Sequence, residues 1–167
     1  MKTSLRFSAY PLLIVGLLAS LCLAACKPAS EQYSKAAVVK TTYGSISGSF
    51  EDGVFSFKGI PYAKAERFMP PQAPDAWEGV REHKKFGPIA MQVNAWSPET
   101  AMNEQKLFTV NVWSRSINDG KKRPVMFWLH GGGFSVGASD DPITDGKMLA
   151  QKGDVVLVSV NHRLNIM

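Results

Sequence analysis

Short runs of alternating apolar and polar residues, separated by glycine, extend from Val38 to Lys58. Alternation with a period of two is typical of strands that bury one face. Asp52-Gly53 lies between two such runs, and this dipeptide favours a tight hairpin turn. The pattern therefore predicts a small antiparallel meander over residues 38–58.

Two later runs, Val125–Leu129 and Val155–Val158, are apolar without alternation. Continuous apolar runs of this length predict strands that are buried on both faces, as in parallel sheets. Between them, Thr144 or Asp145 can cap a short helix that Gly153 ends. A strand, a helix and a second strand at this spacing predict a right-handed parallel crossover. The core is therefore expected to be α/β.

The intervening region, residues 59–104, is rich in proline and tryptophan and has little periodicity. Such a segment predicts an irregular backbone that is ordered by aromatic packing. It is followed by a predicted strand at Leu107–Trp113 and by a turn around Asn118-Asp119-Gly120. The region is expected to be a packed loop of the same domain and not a linker.

The N-terminal segment has the layout of a secretory signal peptide. Lys2 and Arg6 precede an apolar run, Phe7–Ala25, that ends in small residues. The run is about long enough to cross a bilayer, so an uncleaved anchor is the alternative. Pro, Gly and Ser interrupt it, however, and no basic cluster follows. We expect residues 1–25 to be removed.

Leu23-Ala24-Ala25-Cys26 resembles a bacterial lipobox, in which the cysteine receives a diacylglyceryl group. The resemblance implies lipidation at Cys26 and a lipidated tether over residues 26–37, followed by a domain over residues 38–167. The expected location is the bacterial cell envelope, on a membrane surface. Simple cleavage, which would give a periplasmic or secreted protein, is the alternative.

Charge and cysteine content exclude several classes of protein. The chain has 19 Lys and Arg against 14 Asp and Glu, a net charge of +5 that is too small and too scattered to indicate nucleic-acid binding. Both cysteines, Cys22 and Cys26, lie near the N-terminus. The rest of the chain therefore cannot form a disulfide or a cysteine metal site, and no cofactor is expected.

Three consecutive glycines follow the first buried strand, in His130-Gly131-Gly132-Gly133-Phe134. A tight strand-to-loop turn would explain them, because glycine permits conformations and close approaches that a Cβ forbids. Neither phosphate-binding glycine motif is present. The remaining functional interpretation is an oxyanion hole, in which backbone N–H groups bind the developing negative charge of an attacked carbonyl. His130 is then expected to orient the loop and not to act as a base.

A series of motifs occurs in fixed order along the chain. They are Gly59-Ile60-Pro61-Tyr62-Ala63, Arg67-Phe68 with Pro70-Pro71, Trp77-Glu78-Gly79, Phe86-Gly87-Pro88 with Gln92, Asn111-Val112-Trp113, Pro124-Val125-Met126, His130-Gly131-Gly132-Gly133-Phe134, Gly153-Asp154-Val155-Val156 and Val160-Asn161-His162-Arg163-Leu164. The series resembles the type-B carboxylesterase family, which includes para-nitrobenzyl esterases and cholinesterases. The resemblance implies the N-terminal portion of an α/β-hydrolase fold.

The same resemblance implies a carboxylic ester hydrolase that acts on a small-molecule ester through a serine acyl-enzyme. Gly132 and Gly133 would donate to the oxyanion. The hormone-sensitive-lipase-like group also carries the glycine motif, but the segments Gly59–Ala63 and Asn111–Trp113 argue against it. A non-catalytic binding or adhesion protein on the same scaffold is the alternative from another class.

The chain departs from the family at a disulfide. The family usually joins two cysteines at the positions that Ala90 and Leu107 occupy here, so we expect the bridge to be replaced and not broken. Arg67 corresponds to a family arginine that pairs with an acidic residue. We expect it to reach Glu104 or to hydrogen-bond Gln105.

The catalytic triad is not recognisable in the sequence. Each of the candidate serines lacks the context of a nucleophile elbow: Ser45, Ser47, Ser49 and Ser135. The resemblance therefore implies that the nucleophile, the acid and the histidine lie beyond Met167, in a longer enzyme. The 167-residue chain alone is expected to hydrolyse no ester.

Overall fold

The computed structural model describes residues 37–93 and 100–165. In chain order these residues form β1 (Val38–Lys40), β2 (Ser45–Ser47), β3 (Ser49–Glu51), β4 (Val54–Pro61), β5 (Val80–Glu82), β6 (Thr109–Ser114), β7 (Val125–Leu129), a 3-10 turn (Pro142–Thr144), α1 (Lys147–Gly153) and β8 (Val156–Val160). The predicted signal peptide, Cys26 and most of the predicted tether lie outside the described residues. Ala37, the last tether residue, is instead buried against Ile46 and Phe57.

The larger sheet has the strand order β3-β4-β6-β8-β7. Its only parallel pair within the described residues is β7 and β8, in a register that places Phe127 opposite Val158. The helix α1 lies between these two strands in sequence, which confirms the predicted crossover. The Asp145 carboxylate accepts a hydrogen bond from the Lys147 amide at 2.8 Å, although the capping position itself is Gly146.

The predicted meander over residues 38–58 is wrong as a single sheet. Its first two strands, β1 and β2, pair with each other and then with β5 in a smaller sheet of order β1-β2-β5. The strands β3 and β4 pair across the predicted Asp52-Gly53 hairpin and belong to the larger sheet. The chain changes sheets at Gly48, whose amide donates to the Ala37 carbonyl at 3.0 Å.

The prediction that Val125–Leu129 is buried on both faces is also wrong for the described residues. All five side chains of β7 are exposed, Phe127 by 61%. The reason is topological: after α1 the chain re-enters the sheet between β6 and β7, so β8 is internal and β7 lies at the edge. An apolar run indicates that a strand can be buried, but it does not show whether that strand is internal or lies at the edge of the sheet.

The helix α1 covers one face of the larger sheet through Ala150, which packs with Trp113 and Leu157 in a buried cluster. The helix ends at Gly153, and Asp154 then adopts a left-handed conformation with φ of 49°. Within residues 37–93 and 100–165, no helix has the length and apolar character needed to cross a bilayer.

Candidate active site

The glycine loop, defined as residues 130–137, begins where β7 ends. In α/β sheets, ligands bind at the carboxyl ends of parallel strands, and β7 and β8 are such a pair. The loop backbone is unusual, because positive φ angles occur at Gly132 (121°), Gly133 (60°), Phe134 (61°) and Gly137 (117°). The predicted turn is therefore present, and it has a conformation that favours glycine.

Gly132 and Gly133 are required for different physical reasons. The Gly132 carbonyl accepts hydrogen bonds from the amides of Ser135 (3.0 Å) and Val136 (3.2 Å), which closes the turn. A Cβ on Gly132 would lie only 1.8 Å from the Val136 carbonyl oxygen, so a side chain there would break the turn. A Cβ on Gly133 would meet nothing within 4 Å. Gly133 therefore presents an open face on which no side chain stands.

The amides of Gly132 and Gly133 are free donors. Within the described residues neither N–H has an acceptor, and both glycines are exposed. Unpaired donors at an accessible position are what an oxyanion site requires, because there they cost no reorganisation when charge develops. The loop thus leaves two adjacent N–H groups available to an acceptor outside the protein.

Two side chains from elsewhere in the chain hold the glycine loop. Gln92 makes a paired contact with Gly137: its Oε1 accepts from the Gly137 amide (2.7 Å) and its Nε2 donates to the Gly137 carbonyl (2.9 Å). Asn165 donates from its backbone amide to the Phe134 carbonyl (2.7 Å) and from Nδ2 to the Ser135 carbonyl (3.2 Å). Neither residue was predicted to have this role.

A buried polar network lies behind the loop. Asn111 Nδ2 donates to the hydroxyls of Ser139 (2.8 Å) and Ser159 (3.2 Å), and its Oδ1 accepts from the Gly59 amide (2.8 Å). Asn161 Oδ1 accepts from the Ser139 amide (2.8 Å). The sequence carries a signal for this network, because Asn111 and Ser159 are polar residues that each lie between two valines of a strand.

The imidazoles of His130 and His162 stack face to face, with ring centroids 4.4 Å apart and an interplanar angle of 6°. His130 Nδ1 donates to the Gly131 carbonyl at 2.9 Å. Burial lowers the pKa of His130 below its ordinary value, and the positive charge of a protonated His162 lowers it further. Within the described residues no serine hydroxyl contacts His130, so its place is that of a residue supporting the loop.

The expectation that Ser135 lacks an elbow context is wrong at the level of spacing, because Gly133-Phe134-Ser135-Val136-Gly137 has the spacing of a nucleophile elbow. Its geometry differs from that of an elbow, because the left-handed residue is the preceding Phe134 and no helix follows directly. The Ser135 hydroxyl donates weakly to the Gly133 carbonyl at 3.4 Å. Among residues 37–93 and 100–165, no base contacts the Ser135 hydroxyl.

Two openings flank the glycine loop. An apolar cleft of about 740 Å³ on one side is lined by the loop and by strand residues such as Val110, Phe127 and Val160. A smaller cavity of about 280 Å³ on the other side is lined by Gly132 and Trp128, among others. Within the described residues no group of three or more His, Cys, Asp or Glu side chains could hold a metal ion.

Comparison with known proteins decides the family. Residues 35–167 match the profile of the carboxylesterase family. The chain belongs to the carboxylesterase family. It is 38% identical to the para-nitrobenzyl esterase of Bacillus subtilis over 135 residues, which are 76% of this chain and 27% of that enzyme. It is 35% identical to the fumonisin B1 esterase of Sphingopyxis macrogoltabida over 147 residues, which are 84% of this chain and 27% of that protein.

Solved carboxylesterase structures support the fold assignment. The carboxylesterase EST55 of Geobacillus stearothermophilus aligns with a TM-score of 0.70 at 49% identity, over 77% of this chain and 26% of that one. An esterase of Clostridium hathewayi that can hydrolyse aliphatic aromatic polyesters aligns with a TM-score of 0.72 at 39% identity, over 77% of this chain and 28% of that one. The chain therefore has the α/β-hydrolase fold and spans a little over a quarter of these relatives.

Two expectations that came from the family resemblance are confirmed. Ala90 and Leu107, at the positions of the usual family cysteines, are 2% and 0% exposed and share one apolar cluster with Phe108. Arg67 Nη1 lies 3.5 Å from Glu104 Oε1. That ion pair is partly exposed and contributes little to stability.

Proposed function

We propose that this chain supplies the oxyanion-binding part of a carboxylic ester hydrolase that works through a serine acyl-enzyme. The observation that carries the proposal is the pair of free N–H groups on Gly132 and Gly133, at the carboxyl end of a parallel strand. Membership of the carboxylesterase family supports it.

The proposed chemistry follows from where negative charge develops. A serine oxygen attacks the ester carbonyl carbon while a general base takes the serine proton, and the carbonyl oxygen becomes negative as the new C–O bond forms. The amides of Gly132 and Gly133 then donate to this oxygen, and each such donor is worth about 3 kcal/mol in the transition state. Collapse of the intermediate breaks the ester C–O bond, and the departing oxygen takes the proton from the base and leaves as the alcohol. Water then releases the acid from the acyl-enzyme and returns the proton to the serine.

The substrate class is proposed only as a small carboxylic ester. The relatives' names cover esters as different as para-nitrobenzyl esters and fumonisin B1. The cleft beside the loop is apolar, which suits an uncharged acyl or alcohol group.

A graft tests the proposal directly. Residues 38–165 of this chain would replace the aligned segment of the Bacillus subtilis para-nitrobenzyl esterase, and turnover of a para-nitrophenyl ester would be measured. We expect activity that a serine-directed phosphonate abolishes. A folded graft without turnover would favour the alternative, a binding protein on the same scaffold.

The proposed location is a membrane surface of the bacterial cell envelope, through a lipid on Cys26. The lipobox-like Leu23-Ala24-Ala25-Cys26 after a basic and apolar segment supports this. Mass spectrometry of the chain expressed in a bacterium with lipoprotein-processing enzymes should find a diacylated Cys26. Cys26→Ser should remove the lipid, and Cys22→Ser, the matched control, should keep it. A mature N-terminus at another residue would contradict the proposal.

A further inference from the structure

The stack of His130 on His162 joins two segments that are distant in sequence. His130 opens the glycine loop and hydrogen-bonds within it. It also contacts the far end of the loop, because a Cβ built on Gly137 would lie 2.3 Å from His130 Nδ1. His162 lies in the segment that follows β8, between Asn161 and Asn165, which both bond to the region of the loop. The ring stack is therefore the side-chain contact through which this segment meets the first residue of the loop.

We propose that His162 is a positioning residue for the glycine loop, which it holds through its ring stack on His130. The inference rests on the proposed function only in that the held groups, the amides of Gly132 and Gly133, are the oxyanion donors. The stack itself is a property of the described structure.

A consequence of this arrangement is pH dependence. Two neutral imidazoles stack favourably, whereas two imidazolium rings 4.4 Å apart repel each other. Both Nδ1 atoms donate to carbonyl oxygens, of Gly131 for His130 and of Arg163 for His162, which is compatible with neutral rings. Acidification therefore weakens the contact that holds the loop.

Three other ionisable groups act near the pair within the described residues. The Asp140 carboxylate favours the charged form of His130 and so opposes the effect of burial. Arg163 follows His162 in the chain, and its guanidinium carbon lies 5.5 Å from the centroid of the Phe108 ring. Tyr62 lines the same cleft and is neutral, because burial raises its pKa. The main electrostatic opposition to a doubly charged pair is thus between the two rings themselves.

Hydrogen exchange measured by mass spectrometry on the full 167-residue chain tests the proposal. The readout is protection of the peptide that contains Ser135, Val136 and Gly137, whose amides are hydrogen-bonded in the loop. His162→Ala, which removes the stack, should speed exchange there by roughly two- to tenfold. His162→Phe, which keeps an aromatic ring without a titrating group, should restore protection. The peptide of β6 serves as the internal control.

The pH dependence of loop protection separates the effect of ring stacking from the effect of charge on the two rings. Corrected for intrinsic exchange, protection of the loop in the unaltered chain should fall between about pH 7.5 and pH 5. His162→Phe should show a smaller fall, because burial still disfavours the charged form of His130 but the repulsion between two charged rings is absent. If His162→Ala also loses protection in β6, it has unfolded, and the comparison of the unaltered chain with His162→Phe still decides. Equal pH dependence in those two proteins would overturn the proposal. Ester turnover does not enter the measurement, so its outcome is independent of the graft experiment.

Discussion

At the scale of single residues, the glycine motif showed where the backbone is unusual but not why each glycine is needed there. The sequence predicts an unusual backbone at residues 131–133, and positive φ angles confirm it at Gly132 and Gly133 but not at Gly131. The sequence does not show that a side chain on Gly132 would collide with its own turn whereas one on Gly133 would face open space. That distinction depends on where Val136 returns in three dimensions, which no local pattern encodes.

His83 is the second informative residue at this scale. It is 9% exposed, its Nδ1 donates to the Gly59 carbonyl at 3.1 Å, and its Nε2 has no partner within the described residues. Burial lowers the pKa of His83 below its ordinary value of 6.5. The unfolded chain therefore binds a proton at a higher pH than the folded chain does.

The first prediction concerns this linkage. Stability contributed by neutral His83 is complete above the ordinary pKa of 6.5 and declines as pH falls below it, towards the lower pKa of the folded state. The free energy of unfolding, from urea titrations at about pH 7.5 and pH 5.5, should fall less in His83→Phe than in the unaltered chain. An equal fall in both proteins would show that His83 does not titrate in this range.

At the scale of elements, the crossover was predicted and the order of the strands was not. Apolar runs predict strands at Val125–Leu129 and Val155–Val158, and their spacing predicts that they are parallel, as β7 and β8 are. Which of them lies inside is decided by pairing with β6, a contact made across more than forty residues of chain. The later run therefore forms an internal strand, and the earlier run, β7, lies at the edge of the sheet.

The second prediction concerns that edge. Exposed apolar strands without charges favour self-association. Phe127→Lys, at a position that is 61% exposed in β7, should reduce aggregation of the 167-residue chain. Met148 lies on α1 and is 56% exposed, so Met148→Lys adds the same charge away from the edge and should have a smaller effect. Light scattering against concentration measures both, and equal effects would contradict a specific role for β7.

The third prediction concerns the replaced disulfide. Ala90 and Leu107 share one buried cluster, so Ala90→Cys with Leu107→Cys should form a bridge under oxidising conditions. The loop that it closes has a length for which chain-entropy arguments give about 3 kcal/mol. The comparison is between the oxidised and reduced forms of the same double variant, which cancels the loss of the leucine. The background for this test carries Cys22→Ser and Cys26→Ser, so that the two introduced thiols are the only ones. Two free thiols after oxidation would then contradict the predicted proximity.

At the scale of the whole molecule, the candidate site is assembled from segments far apart in sequence. The glycine loop was predicted, whereas its supports, Gln92 and Asn165, were not. Both are ordinary polar residues in irregular segments, and their partners are backbone groups of the loop. Side chains that bond to a distant backbone leave no periodic or motif signal, which is why sequence reasoning found the loop and missed what holds it.

The fourth prediction is made at the same scale. The 167-residue chain should show no ester turnover, because the two proposed donors could polarise a carbonyl but cannot attack it, and no base in the described part of the chain contacts the Ser135 hydroxyl. A para-nitrophenyl ester assay of the purified chain checks this. Turnover that survives repurification and resists a serine-directed phosphonate would contradict both the prediction and the proposed mechanism.

The most direct test of the oxyanion role compares two glycines in the active graft. Gly133 and Gly120 have similar positive φ angles of 60° and 72°, and a Cβ on either meets nothing within 4 Å. Alanine therefore imposes similar backbone strain at both, but only Gly133 carries a proposed donor. Gly133→Ala keeps the N–H but places a Cβ on the open face that an ester must approach, and the strain at positive φ shifts the donor from its position. The account therefore predicts that Gly133→Ala lowers kcat by about 100-fold, as the loss of one oxyanion donor would, while Gly120→Ala leaves it within about twofold of the unaltered graft. Equal kcat values for the two folded variants would contradict the account.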